Sequence, residues 1–167
     1  FDPLPAQTVD VTTTDDDVAG FTIVESAGSS IVSETGTTDD FTVVLDAEPA
    51  TDVVLDVTSA DTDEVTVAPA TLTFTSVNWN VPQTVTLTGI DDPAIDGSAT
   101  TLVTVAVDAA SSDDDFDAVA SQDVSVTTTD NDSPGITIVE SGGSTVVAES
   151  GTSDDFTVVL DAQPATD

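Results

Sequence analysis

Carboxylates are the only side chains of this sequence with evident chemistry. Its 167 residues include 33 Asp and Glu and no Lys, Arg, His, Cys or Tyr. Such a chain has no imidazole base, no thiol, amine or phenol nucleophile and no cationic clamp for an oxyanion. A hydrolase with paired carboxylates is the one enzyme class left, and nothing suggests the cleft it needs. Carboxylate oxygens are the ligands that calcium takes, so we expect cation binding and no enzyme.

The charge balance limits the partners of this chain. Its formal net charge is −33, because no cationic side chain offsets the acids. Contact with nucleic acid or with an anionic membrane surface needs cationic side chains, so we expect neither. No apolar run approaches membrane-spanning length, so we expect no membrane insertion. Self-repulsion of this size opposes a compact fold unless cations screen it. A halophilic acidic surface is the alternative to calcium, but it does not explain why acids concentrate in loops.

An acidic tripeptide occurs twice at a spacing of 115 residues. Asp15-Asp16-Asp17 returns as Asp130-Asn131-Asp132. At this shift 35 of the 52 positions in 1–52 are identical to those in 116–167. A fixed period of near-identical sequence indicates a tandem array. We expect three parts: the last strand of a preceding repeat in 1–17, a complete repeat in 18–132, and the first strands of the following repeat in 133–167.

Short β-branched runs separated by Asp, Gly, Ser and Pro indicate an all-β fold. Residues alternate between apolar and polar, as in Phe41, Val43 and Leu45. The pattern predicts a seven-stranded antiparallel Ig-like sandwich of two sheets. Its strands are A 21–26, B 40–46, C 52–58, D 65–75, E 83–90, F 100–108 and G 123–129. Pro69 must lie at a bulge or edge, and Trp79 is interpreted as a lid on the core.

Strand direction predicts where the acidic loops meet. If the strands alternate, loops A–B, C–D and E–F and the end of strand G share one pole, and Glu25 points towards it. The carboxylates of these segments are Glu34, Asp39, Asp40, Asp61, Asp63, Glu64, Asp91, Asp92, Asp96, Asp130 and Asp132. At the other pole, the F–G loop carries Asp113 to Asp115. We expect that loop to face the acidic tripeptide arriving from the preceding repeat.

The sequence resembles the Calx-beta family over the whole 115-residue period. The resemblance rests on FTIVE from Phe21, on LTF followed by TVTLTGIDD, and on the TDDD or TDND ending. It implies calcium ligation by Glu25, Asp91, Asp92, Asp130 and Asp132, with Asp61 in the C–D loop and Asp96 replacing the glutamates of the family. The same positions in the flanking copies are Asp15, Asp17 and Glu140. Asn131 replaces a family aspartate, and a segment between strands C and D is missing, so we expect fewer calcium sites.

These observations predict a structural repeat of a bacterial extracellular or cell-surface protein. Sandwiches joined end to end, with lateral contacts as a further option, would form a filament, an adhesin stalk or a biofilm matrix fibre, stiffened by Ca²⁺ at the acidic poles. The partners would be neighbouring copies of the repeat. Two alternatives stay open: a ligand- or glycan-binding adhesin module, and a halophilic surface repeat without specific calcium sites. The aromatic content of 4% offers little for a glycan site.

Overall fold

Eleven β-strands make up the computed structural model, which describes residues 4–164. In chain order they are β1 Phe21–Glu25, β2 Ser30–Ser33, β3 Thr38–Leu45, β4 Val53–Ser59, β5 Val65–Ala68, β6 Thr71–Phe74, β7 Gln83–Gly89, β8 Ala99–Val107, β9 Gln122–Thr129, β10 Ile136–Glu140 and β11 Phe156–Leu160. The helical segments in this range are three 3₁₀ turns, Ser26–Gly28, Asp114–Phe116 and Ser141–Gly143. None of them is long and apolar enough to cross a membrane.

The first nine strands form two sheets that pack face to face. One sheet has the order β1-β3-β7-β5 and the other β2-β9-β8-β4-β6. Alternate residues of each strand point inward because strand side chains have a period of two. Phe41 and Leu87 of the first sheet and Leu55 and Val105 of the second are at most 1% exposed and belong to one core. The all-β sandwich expected from the sequence is confirmed.

The strand count and pairing differ from the seven antiparallel strands expected. Predicted strand D is two strands: β5 pairs with β7 in one sheet and β6 with β4 in the other. Pro69 lies between them and has no N–H for a ladder, so the chain changes sheets there. Residues 30–33, expected to be loop, form β2, which runs parallel to β9. Residues 21–129 therefore contain nine strands.

Trp79 lies in the turn between β6 and β7. It is partly buried against the core, and its carbonyl accepts a hydrogen bond from the Leu45 N–H at 3.1 Å. Asn78 stabilises the turn, because its side-chain oxygen accepts from the Thr75 N–H at 2.6 Å. The interpretation of Trp79 as a lid on the core is confirmed.

The hairpin of β10 and β11 repeats the local structure of β1 and β3. Phe21 faces Leu45 in the first pair, and Ile136 faces Leu160 in the second, at the same 115-residue shift. Burial is not repeated: Phe41 is 1% exposed, whereas its counterpart Phe156 is 58% exposed. Within the described chain, 133–164 has no counterpart of the strands that cover Phe41.

The last strand of a preceding repeat was expected in 1–17. Residues 1–3 lie outside the described residues, and residues 4–17 contain no strand. Their counterpart is β9, which is hydrogen-bonded between β2 and β8. A strand needs such partners to satisfy its backbone groups, and the described chain does not supply them.

Candidate metal centre

Six carboxylates converge at one end of the sandwich in two groups of three. Glu34, Asp130 and Asp132 form the first group, and Glu64, Asp92 and Asp96 form the second. In each group one oxygen from every residue lies within 4.8 Å of the others. We call these six residues the acidic pole. They follow β2 and β9, precede β5, and lie in the β7–β8 loop.

Glu34 is held in the first group by the backbone on both sides of it. Its N–H donates to the Thr129 carbonyl at 3.2 Å, which continues the β2–β9 pairing by one residue. Its carboxylate accepts from the Asn131 N–H at 3.1 Å, and the residue is 2% exposed. Burial raises the pKa of Glu34 and the Asn131 bond lowers it; Asp130, Asp92 and Asp96 raise it further, and the net shift is upward. Carboxylates of both groups raise the pKa of Glu34, so the two groups are electrostatically coupled.

Asp130 and Asp132 have opposite environments, although they are two residues apart. Asp130 accepts from the Asp132 N–H at 2.7 Å and from the Gly97 N–H at 2.9 Å, and these bonds lower its pKa. One oxygen of Asp132, Oδ2, is buried and has no hydrogen-bond partner. Burial raises the pKa of Asp132, and the neighbouring acids, beginning with Asp130, raise it further.

The second group has the same kind of orphaned oxygen. Oε2 of Glu64 is buried and has no hydrogen-bond partner. Burial raises the pKa of Glu64, and the charges of Asp96, Asp61 and Asp92 add to that rise. The backbone of Glu64 is fixed by the Ile90 N–H, which donates to its carbonyl at 3.0 Å. Asp92 accepts from the Ala94 N–H at 2.7 Å.

The donor set fits a hard divalent cation. Calcium binds oxygen at 2.3–2.6 Å, so two ligands on opposite sides of one ion are separated by about 5 Å. The 4.8 Å limit within each group lies inside that span. Buried carboxylate oxygens without a donor are costly, and the sequence has no Lys, Arg or His to pair with them. A bound cation would satisfy Glu64 and Asp132 together with their neighbours.

Four of the ligands expected from the sequence lie in the acidic pole: Asp92, Asp96, Asp130 and Asp132. Two others lie at its margin. Asp91 is exposed and accepts from the Asn131 side-chain amide at 3.0 Å. Asp61 is exposed and accepts from the Asp63 N–H at 3.0 Å. Both affect the acidic pole through their charge: Asp91 raises the pKa of Asp132, and Asp61 raises the pKa of Glu64.

Glu25 is not brought into either group. Glu25 pairs with Phe41 of β3, and Phe41 lies three residues from Thr38, the end of β3 at the acidic pole. Three strand residues span about 10 Å, so Glu25 lies about that far below the pole. Its carboxylate accepts from the Ser30 hydroxyl at 2.9 Å. Its counterpart Glu140 ends β10 and is exposed. Asp15 and Asp17 lie apart from the acidic pole, at the opposite end of the sandwich.

Glu34 and Glu64 were expected at the pole but not among the ligands. A signal for Glu34 is present in the sequence: it continues the inward alternation of Val32, yet it is charged, and Glu149 repeats it in the next copy. A charged residue at an inward strand position indicates a function for the charge. Glu64 has no comparable signal, because its burial depends on the fold of the β4–β5 loop.

The opposite end of the sandwich carries a cleft of about 490 Å³. We call it the junction cleft; its acidic lining residues are Asp15, Asp17, Glu48, Asp113 and Asp115. The expectation that the F–G loop faces the first acidic tripeptide is confirmed. Asp113 is already satisfied here, because it accepts from the N–H groups of Thr51 at 2.7 Å and Asp115 at 3.1 Å, and these bonds lower its pKa. It caps the 3₁₀ turn that follows.

No family model matches the chain, and no curated protein matches it in sequence. It is distantly similar in structure to SSP-19, an MSP-domain protein of Caenorhabditis elegans, with 18% identity, a TM-score of 0.40 and coverage of 62% of this chain and 94% of that one. The E. coli chaperone DraB has 9% identity and a TM-score of 0.45, with coverage of 69% of this chain and 59% of that one. The surface layer protein SbsC, domains 1–6, has 16% identity and a TM-score of 0.47, with coverage of 93% of this chain and 23% of that one. The chain thus spans only part of the length of DraB and SbsC. Structural similarities with TM-scores below 0.5 do not bear on function.

Proposed function

We propose that this protein binds calcium at the acidic pole and serves as a structural repeat. The observation that supports this most strongly is the pair of buried, unpartnered oxygens on Glu64 and Asp132, each within a group of three carboxylates. A cation would satisfy both oxygens and offset their charge, in a sequence that has no Lys, Arg or His to pair with them. Burial raises the pKa values of Glu34, Glu64 and Asp132, and the repulsion between neighbouring carboxylates adds to the rise; binding would neutralise that repulsion.

Calcium binding would be coupled to folding of the pole. The six carboxylates come from segments far apart in sequence, which an unfolded chain does not hold together. Binding to the folded state alone stabilises that state in proportion to the logarithm of the ion concentration. The pole would therefore be rigid at high calcium concentration and loosened by repulsion at low concentration.

The repeat proposal rests on the 115-residue period and on the hairpin that reproduces β1 and β3. In it, residues 18–132 are one complete unit, 1–17 end a preceding unit and 133–167 begin the next. Neighbouring units are the partners, joined end to end. The resemblance to Calx-beta domains belongs to this proposal, with Glu34 taking the role first expected of Glu25. Secretion to a bacterial cell surface is proposed because calcium there reaches concentrations that weak acidic sites need.

Calorimetry with calcium tests the site, and the repeat supplies a matched control. Asp130→Asn removes a member of the first group, whereas Asp15→Asn makes the same change at the equivalent position outside the acidic pole. We expect calcium uptake by the parent chain and by Asp15→Asn, and uptake weakened about tenfold or more by Asp130→Asn. Absence of uptake at millimolar calcium would contradict the proposal.

Sodium chloride separates calcium binding from halophilic screening. At constant ionic strength a chelator should lower the unfolding temperature, because it removes a specific ligand. Sodium chloride in place of calcium should not restore it. Full restoration by sodium chloride would favour the halophilic surface over a calcium site.

A further inference from the structure

The β7–β8 loop carries a backbone contact that crosses into the following copy. Ala94 and Gln163 form an isolated parallel β-bridge. The Ile95 N–H donates to the Gln163 carbonyl at 3.2 Å, and the Gln163 N–H donates to the Pro93 carbonyl at 2.6 Å. Gln163 follows β11, at the position that Glu48 occupies in the complete unit. The contact therefore joins the acidic end of one unit to the junction end of the next.

Both sides of this loop segment are held by carboxylates of the acidic pole. On one side Asp92 accepts from the Ala94 N–H at 2.7 Å, which fixes the turn that presents residues 93–95. On the other side Asp130 accepts from the Gly97 N–H at 2.9 Å. Asp92 belongs to the second group and Asp130 to the first. The position of residues 93–95 thus depends on the geometry of both groups.

We propose that residues 93–95 are the docking edge for the next repeat, and that cation binding at the acidic pole fixes the conformation of this edge. This inference rests on the proposed function. The occupant is the segment around Gln163 of a following copy, recognised through its backbone. A bound cation would hold Asp92 and Asp130 in place and stop their mutual repulsion from opening the loop. The joint would then stiffen on binding, through two hydrogen bonds rather than through an ion shared between units.

The two copies differ in charge at this contact. Position 48 is Glu, and its counterpart 163 is Gln. A neutral side chain beside the loop that carries Asp92 and Asp96 avoids adding a further negative charge to the pole. Joints with Gln at this position should therefore close at lower calcium concentration than joints with Glu.

Hydrogen exchange on the full chain tests the coupling. The Ile95 and Gln163 amides are followed by NMR with calcium and with chelator, while calorimetry records calcium uptake on the same sample. We expect calcium to slow exchange at both amides about tenfold or more, because it lowers the population of the open joint. Asp92→Asn should remove most of this slowing, and Asp114→Asn, an exposed acid at the other end, should not.

A backbone variant tests the bridge itself without reference to the ion. Gln163→Pro removes the N–H that donates to Pro93, and Glu48→Pro is the matched change outside the bridge. Residual dipolar couplings of 21–129 and 136–160 should report one common alignment in the parent and in Glu48→Pro, and two alignments in Gln163→Pro. An unchanged alignment in Gln163→Pro would overturn the docking edge. Calcium uptake with unchanged exchange at Ile95 and Gln163 would overturn the coupling alone, and no uptake would overturn the proposed function with it.

Discussion

Glu34 shows how one buried residue can determine the chemistry of an acidic surface. Most of the 33 acids are exposed and solvated, but Glu34 is 2% exposed and points into a group with Asp130 and Asp132. Its burial and the nearby charges outweigh the hydrogen bond that its carboxylate accepts from the Asn131 N–H, so its pKa is raised. Asp39 shows the opposite outcome: burial would raise its pKa, but bonds from Ser26, Ile31 and Asp40 lower it. Asp39 is a structural residue, and Glu34 is a ligand candidate.

The raised pKa values predict an unusual pH dependence for the ion-free protein. Glu34, Glu64 and Asp132 bind protons more tightly in the folded state than in the unfolded chain. Stability should therefore rise as the pH falls from 7 towards about 4.5, the ordinary glutamate value. Below 3.8 the trend should reverse, because acids with lowered pKa values such as Asp39 and Asp113 then lose their hydrogen-bonded charged forms. Calcium should invert the first trend, since protons compete for its ligands.

Thermal unfolding between pH 7 and 5, with chelator and with calcium, measures this dependence. Glu34→Gln should flatten the ion-free slope and raise the unfolding temperature at pH 7 by a few degrees, which corresponds to about 1 kcal/mol. Glu149→Gln is the control, since it is the same residue in the next copy and is exposed. An ion-free protein that loses stability steadily from pH 7 to 5 would contradict the assignment.

Two strands from different sheets approach closely at the acidic pole. β2 ends at Ser33 and β7 ends at Gly89, just before the two segments that carry Glu34 and Asp92. A Cβ on Gly89 would overlap the Ser33 carbonyl oxygen. The absence of a side chain at residue 89 is what lets the two strand ends, and therefore both carboxylate groups, share one pole.

Gly89→Ala should separate these strand ends. The obstructing atoms belong to the backbone, so we expect a loss of about 2–3 kcal/mol and weaker calcium uptake. Gly20→Ala is a matched control: its Cβ would lie 2.6 Å from the end of the Asp46 side chain, which can rotate away. Denaturant unfolding and calorimetry on both variants would decide. Equal losses in the two variants would mean that the close approach of β2 and β7 has no special role.

On the scale of the whole molecule, the two ends of the sandwich are unlike and complementary in position. One end carries the acidic pole, and the other carries the junction cleft, into which the first acidic tripeptide leads. The connection from β9 to β10 is short, from Thr129 to Ile136, and contains Pro134. Short linkers containing proline behave as stiff spacers, so the remaining freedom is a bend at the joint.

Small-angle scattering on a chain of several repeats tests the array. We expect a nearly straight rod with calcium and an articulated chain without it, with a rise of roughly 35–50 Å per repeat from the strand lengths and the linker. Replacing Asp130 and Asp132 by Ala in every repeat should give the articulated form at any calcium concentration. A persistence length unchanged by calcium and by these substitutions would show that the acidic pole does not control the joint.

The sequence alone determined the all-β class, the inward residues and the 115-residue period. These features can be read without the fold: the alternation of Phe41, Val43 and Leu45 lies within five residues, and the match of Asp15 to Asp130 appears when the sequence is compared with itself. The same local patterns placed Asp92, Asp96, Asp130 and Asp132 near one another, because strand direction decides which loops share an end.

The tertiary structure alone decided the strand pairing and the membership of the site. β2 has only four residues, too few to be recognised without β9 beside it, and predicted strand D divides because its two halves pair with strands of different sheets. Glu25 and Glu34 are both glutamates at the ends of strands, and the sequence pattern favoured the first. Burial distinguishes them. Glu34 is buried at the acidic pole because β2 belongs to the second sheet and ends there, whereas Glu25 lies on β1 opposite Phe41, three residues short of the pole. A carboxylate becomes a ligand candidate through the neighbours that desolvate it, and those neighbours come from distant parts of the chain.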